Sequence, residues 1–432
     1  MRYLAAFLLL VAVPGTAWAA EIPPPDAPAL DTLPPGPPAL ETLPPAVPGT
    51  APGAVPVMFR SDAARTGRYP PPPVPRILQR LWQFRADDRI ESSPVASGGL
   101  IFVGSNDDYL YAIDARTGVE RWRFKTDKDV ASSPAVAGGL VFVGSNDKYL
   151  YAVDAVAGTE RWRFKTDGDV ASSPAVEGGL VYFASDDEHL YAADAATGVE
   201  RWRFKAEGGI KAGPTVAGGL VYVGDTKGHF FAVDALTGTQ RWSLKADGDI
   251  ESTACVAEGV VYVGDNKGNL YARDAVTGEA KGLFKADDDI RSSPAYADGV
   301  LYVGSNDDHL YAIDVAEGRI LWKMRTDDDV RSSPAVAGGM VFVGSEDDHL
   351  YAADARTGAV MWKFRTEKDI HSSPCVADGV VIIGSQDGRL YALAGYGPGQ
   401  TPADIAPLPP PPPPPPPPAA TELPPPEPPP AP

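Results

Sequence analysis

VASSPAVAGGLVFVGSNDKYLYAVDAVAGTERWRFK, residues 130 to 165, decides the reading of this chain. Four short segments alternate with turns: an A strand in SSPAV, a B strand in LVFVGS, a C strand in YLYAVDA and a D strand in TERWRFK. The turns are AGG, NDK and a stretch ending in Gly158, and the segment lengths suit strands joined by tight hairpins. The pattern recurs every 40 residues, marked by Trp82, Trp122, Trp162, Trp202, Trp242, Trp322 and Trp362, with Gly282 in the one remaining position. A period of about 40 to 45 residues with four strands per unit belongs to a propeller blade.

Counting outward from this unit sets the closure. Eight A-B-C sets begin near residues 91, 131, 171, 211, 251, 291, 331 and 371, and the D positions run from 82 to 362. The first D strand precedes the first A strand, and the last set ends at LYALAGYG without a D strand. The expected fold is therefore an all-β, eight-bladed β-propeller of four-stranded antiparallel blades over residues 81–396, in which residues 81–85 complete the blade begun at 371.

Repeated turn residues fit this frame. Asp114, Asp154, Asp194, Asp234, Asp274, Asp314 and Asp354 end the C strand, where a short carboxylate accepts from turn amides. Gly118 and its counterparts close the same turn, where positive φ is expected. The tryptophans follow on strand D and read as inter-blade packing; Gly282 predicts a gap. Only seven of the 46 prolines lie between Trp82 and Tyr396, each opening the innermost strand, where a missing N–H is tolerated.

The ends of the chain are different in kind. Arg2, the apolar run Leu4 to Val13 and Ala17-Trp18-Ala19 read as a signal peptide over residues 1–19, too short to span a bilayer. Export to the periplasm or the outside is expected, with no integral membrane span and, for want of a cysteine near the cleavage site, no lipid anchor. Residues 20–57 are a Pro-rich linker, 58–80 a segment preceding the propeller, and 397–432 a tail containing ten consecutive prolines, Pro409 to Pro418. Such stretches form extended polyproline spacers rather than cores. A net charge of -19 with no Lys/Arg-rich stretch excludes a nucleic-acid partner.

The motif running from Ala112-Ile113-Asp114 to Trp122, with Ser-Ser-Pro and Val-x-Val-Gly-Ser, resembles the repeat of the pyrroloquinoline quinone (PQQ)-like propeller family. The resemblance covers about residues 58–396, and MFRSDAARTGRYP (Met58 to Pro70) is similar to the segment preceding the first blade in such proteins. It implies one of two functions. Quinoprotein dehydrogenases of this family hold PQQ and calcium on the axis beneath long inserted loops, often with a vicinal disulfide. The non-enzymatic branch is typified by the outer-membrane assembly factor BamB. Here every blade is 40 residues long, and Cys255 and Cys375 stand three blades apart, beyond the ~7 Å reach of a bridge. No catalytic residue, cofactor or metal is therefore expected, PQQ and calcium being the alternative. The reading is a monomeric scaffold for envelope or outer-membrane proteins, with surface or wall adhesion as a third course.

Candidate partner sites lie on the loops. The D-to-A connections and B–C turns fall on one face and are acidic, as in Asp287 to Asp289, Asp327 to Asp329, Asp107 and Asp108. They are expected to be solvated turns whose net field attracts basic segments. The residue before each Ser-Ser pair or its counterpart varies most: Glu91, Ala131, Ala171, Lys211, Glu251, Arg291, Arg331, His371. Arg291, Arg331 and His371 form a basic arc at the channel mouth, a candidate rim for a peptide or anionic group. His189, His229, His309 and His349 share one B–C turn position and read as surface residues.

Overall fold

The computed structural model describes residues 57–69 and 78–395, which form 33 strands in eight sheets and no helix. Blades are numbered here from the A strand Val95–Ser97 (blade 1) to Cys375–Ala377 (blade 8). Each blade runs A-B-C-D in antiparallel order, as expected. The ring closes through the strand Leu78–Arg85, which pairs with Arg389–Gly395 from Leu78↔Gly395 to Arg85↔Arg389. It begins at Leu78 rather than Leu81. The signal peptide, most of the linker and the proline-rich tail lie outside the described residues.

The A strands differ from expectation. Each spans three residues, such as Ala135–Ala137, and the Ser-Ser-Pro precedes it. The serines instead join neighbouring blades: the amide of Ser93 donates to Ser133 Oγ (2.9 Å), Ser133 to Ser173 (3.1 Å), Gly213 to Thr253 (3.0 Å), and so on to Ser373, whose amide donates to Ser93 Oγ (2.9 Å). This belt breaks once, between blades 3 and 4, because Gly213 offers Ser173 no hydroxyl.

A second tie runs along the outer edge. Trp122 Nε1 donates to the Ala155 carbonyl of the next blade at 3.2 Å, and its ring lies against Gly158, where a Cβ would meet it at 2.6 Å. The same pair of contacts joins Trp82, Trp162, Trp202, Trp242 and Trp322 to the following blade. The glycines need their positive φ, 67° at Gly158. The expected Asp caps are present: the amides of Val156 and Ala157 donate to Asp154 Oδ1 at 3.0 and 2.8 Å. Between the outer and inner ties, alternating inward residues such as Leu150, Ala152, Val181 and Phe183 are fully buried.

Candidate functional site

The segment before the first blade lies at the level of the A strands. Val57–Met58 adds a strand beside Ala135–Ala137 of blade 2. The carbonyls of Ala63, Ala64, Thr66 and Gly67 then accept the amides of Val216, Val256, Tyr296 and Val336 from blades 4, 5, 6 and 7, all at 2.8–2.9 Å. Tyr69 Oη donates to the Pro374 carbonyl of blade 8 at 3.2 Å. One short stretch thus uses the free inner edges of most of the ring, which would otherwise leave backbone donors unpaired.

Two arginines anchor it. Arg60 donates to the Ser293 carbonyl at 2.6 Å and to the Pro294 carbonyl of blade 6. Arg65, fully buried, donates through Nη2 to the carbonyls of Ser173 (3.0 Å) and Pro174 (2.8 Å) of blade 3 and, at 3.4 Å, to that of Pro214 of blade 4. Burial pushes its guanidinium down to about 9, still protonated at neutral pH. Reading the sequence did not single out these arginines: backbone carbonyls are their acceptors, and carbonyls leave no mark in a sequence.

At the opposite end of the A-strand approach, the variable rim is internally paired. Arg291 lies 3.7 Å from Glu251 and 3.3 Å from Asp289, and Lys211 lies 3.6 Å from the same Glu251. Arg331 lies 3.0 Å from Glu346 and 3.1 Å from Asp329, while His371 Nε2 lies 2.8 Å from Glu346. Glu91 is 3.6 Å from Arg89. The arc is therefore neutralised from within. The donor atoms of Glu346, Asp369 and His371 lie within 4.8 Å of one another, but the Arg331 guanidinium on the same Glu346 oxygen opposes a cation there.

The acidic loops divide into two populations. Asp107 accepts from Tyr111 Oη (2.7 Å), from the Tyr109 amide (3.2 Å) and from the Asp87 amide of the adjoining connection (2.9 Å). Asp147, Asp187, Asp347 and Asp387 do the same, so these are structural caps rather than solvated turn residues. Asp87, Asp88, Asp287, Asp288, Asp327 and Asp328 remain exposed and carry the field of this face. In blades 4 and 5, Asp225 and Asp265 are wholly buried and accept the loop amides themselves, which explains why GDTKG and GDNKG depart from the other turns. The four histidines open the C strands and lie half-buried against the ring two residues on, as His189 does against Tyr191. Cys255 and Cys375 are buried free thiols.

On the opposite face, a cavity of about 800 Å³ lined by Arg68, Tyr69, Tyr302, Leu321, Val336 and Arg356 lies between blades 6 and 7. Arg60 and Arg65 are committed to backbone carbonyls, and the rim cations Lys211, Arg291 and Arg331 to carboxylates.

The fold and its repeat define a PQQ-repeat β-propeller. A family model described as "Outer membrane protein assembly factor BamB" matches residues 79–170, 146–283 and 282–396, and the chain belongs to that family. Among solved structures it is similar to BamB from Moraxella catarrhalis (18% identity, 74% of this chain and 100% of that one, TM-score 0.65). It is also similar to the quinohemoprotein alcohol dehydrogenase from Comamonas testosteroni (16% identity, 78% and 80%, TM-score 0.69) and to a europium-containing methanol dehydrogenase (16% identity, 78% and 97%, TM-score 0.67). At these identities the likeness is one of fold. No curated protein matches the sequence. Among the described residues no helix is long and apolar enough to cross a membrane.

Proposed function

We propose that this chain is an exported, non-catalytic propeller that serves as a protein-interaction scaffold in the cell envelope, with a role in the assembly of outer-membrane proteins. The observation that carries the reading is the axis itself: residues 57–69 of the chain bond to the inner edges of blades 2 to 8, where a dehydrogenase would need room for cofactor and substrate. Uniform 40-residue blades give no inserted loop to cover a substrate and exclude water. The family model's description, an outer-membrane assembly factor, supports the same role.

In this reading the chain works as a monomer in the periplasm or outside the cell, with no PQQ, calcium, nucleic acid or membrane span. Basic segments of envelope proteins approach the exposed carboxylates of the loop face, where charge sets encounter rate and orientation more than affinity. Crosslinking in intact cells, followed by mass spectrometry of what is joined to the propeller, tests this. Recovery of an outer-membrane barrel or its assembly machinery is the expected result; recovery of nothing, or of wall polymer alone, overturns it. Stoichiometric uptake of added PQQ and calcium with dye-linked alcohol oxidation would put a dehydrogenase in its place.

A further inference from the structure

The seam between blades 5 and 6 retains the receptor for an indole without the indole. At six other seams a tryptophan ring covers the glycine of the next blade's C–D turn, while its Nε1 donates to the carbonyl three residues before that glycine, at 3.0–3.2 Å. At this seam the tryptophan position is Gly282, whose added Cβ would meet only Ala272, at 3.8 Å. Gly318 keeps the same left-handed conformation, φ 62°, and nothing lies within 4 Å of where its Cβ would be.

The hydrogen-bond acceptor is also unused. Tyr182, Tyr222 and Tyr302 each send their hydroxyl to the same carbonyl that the indole reaches, those of Ala235, Ala275 and Ala355. The corresponding carbonyl here, Val315, accepts neither bond among the described residues. Tyr262, which has lost its tryptophan neighbour, is 7% exposed against 1–3% for Tyr182, Tyr222 and Tyr302. Ile320, 44% exposed, stands where blades 1, 2 and 3 carry Glu120, Glu160 and Glu200, and where blade 7, behind the filled seam of Trp322, carries the similarly exposed Val360.

We infer that this slot, formed by Tyr262, Ala272, Val315, Gly318 and Ile320, is a docking site for a tryptophan side chain of a partner polypeptide. The occupant is specified by the molecule's own six filled copies: a flat ring on the Gly318 backbone with an N–H aimed at the Val315 carbonyl. The net charge of -19 favours a tryptophan flanked by Lys or Arg. Tryptophan is also the side chain that most often anchors interfaces, since it buries a large rigid area and satisfies one donor. This deepens the scaffold reading and rests on it for the existence of a partner.

The test uses the full exported chain and N-acetyl-tryptophanamide, with N-acetyl-leucinamide as the comparison, read by NMR shifts of the Val315 and Ile320 methyl groups. Saturable shifts with the tryptophan probe and none with the leucine probe are expected. Gly282→Trp, which fills the slot from within, should weaken probe binding by about tenfold or more, the scale of one lost buried aromatic contact with its hydrogen bond. Gly282→Phe should block it equally; should Gly282→Trp fail to fold, this variant decides the matter. Unchanged binding in the filled variants, or equal response to both probes, overturns the slot. Crosslinking that recovers no envelope protein while the slot still binds the tryptophan probe would remove the scaffold role and leave the slot standing.

Discussion

Three seams of the ring depart from the common pattern: between blades 7 and 8 the buried Trp362 Nε1 has no partner among the described residues, and the other two have opposite fates. Between blades 3 and 4 the inner belt breaks at Gly213, but Arg65 donates to the Ser173 and Pro174 carbonyls on one side and reaches that of Pro214 on the other. Between blades 5 and 6 the outer tie breaks at Gly282, and nothing among the described residues takes its place over Gly318. A repeat multiplies one solution around a ring, so each departure is measured against sister copies in the same molecule. The first gap is refilled by the chain's own segment and is structural. The second keeps its acceptor and its left-handed glycine while standing open, which marks a surface rather than a core.

The most severe break of this comparison is Arg65→Ala. It leaves the carbonyls of Phe59, Ser173 and Pro174 buried without their charged donor and reopens the blade 3–4 seam, at an expected cost of about 4 kcal/mol in denaturant unfolding. Next comes Trp242→Ala, which recreates the blade 5–6 defect at the intact seam beside it. Because Trp242 is half-buried, the cost should sit near the low end for such truncations, about 3 kcal/mol, and fall to little if the seams carry no load. Gly213→Ser would restore the missing hydroxyl, yet its Cβ would lie 2.9 Å from the Ser173 carbonyl, so it should destabilise by about 1 kcal/mol rather than mend the belt.

How much of this is legible from residues alone depends on what carries the contact. The blades, their number and the splice that closes them follow from side chains recurring at 40 residues, including the hole at Gly282. The Asp caps and positive-φ glycines are legible for the same reason, since a turn is a local event. MFRSDAARTGRYP has no period, and its partners are amides and carbonyls up to 305 residues away, so its place on the axis is not. Composition likewise marks the loop face as acidic without separating Asp107, which caps Tyr111, from exposed Asp87, because that distinction lies in geometry. The arc of Arg291, Arg331 and His371 reads as free charge until Glu251 and Glu346 are found beside it.

Acid sharpens the comparison at the repaired seam. Asp234 caps the turn that presents the Ala235 carbonyl to Trp202, and hydrogen bonds from Arg241 and then Thr237 hold its carboxyl down to about 2. A depressed carboxyl stabilises the fold above its unfolded value near 4, and that contribution disappears as pH falls through about 2. Asp234→Asn should therefore flatten the loss of stability between these pH values, measured by urea midpoints, while leaving the loss due to Asp194 and its Arg201 partner in place.

The smallest expected effect decides whether the open seam is a defect or a site. Gly282→Trp adds one indole over Gly318 and one hydrogen bond to Val315, a gain of about 1 kcal/mol once the ordering of the side chain is subtracted. For a propeller of this size that raises the melting temperature by about 1 to 2 °C. A rise shows that the receptor geometry is intact and that the empty state is not imposed by the backbone. No rise, with the introduced indole still solvent-exposed by its fluorescence, would mean that the seam has relaxed into another packing, and the six filled copies would then cease to be a guide to what this one holds.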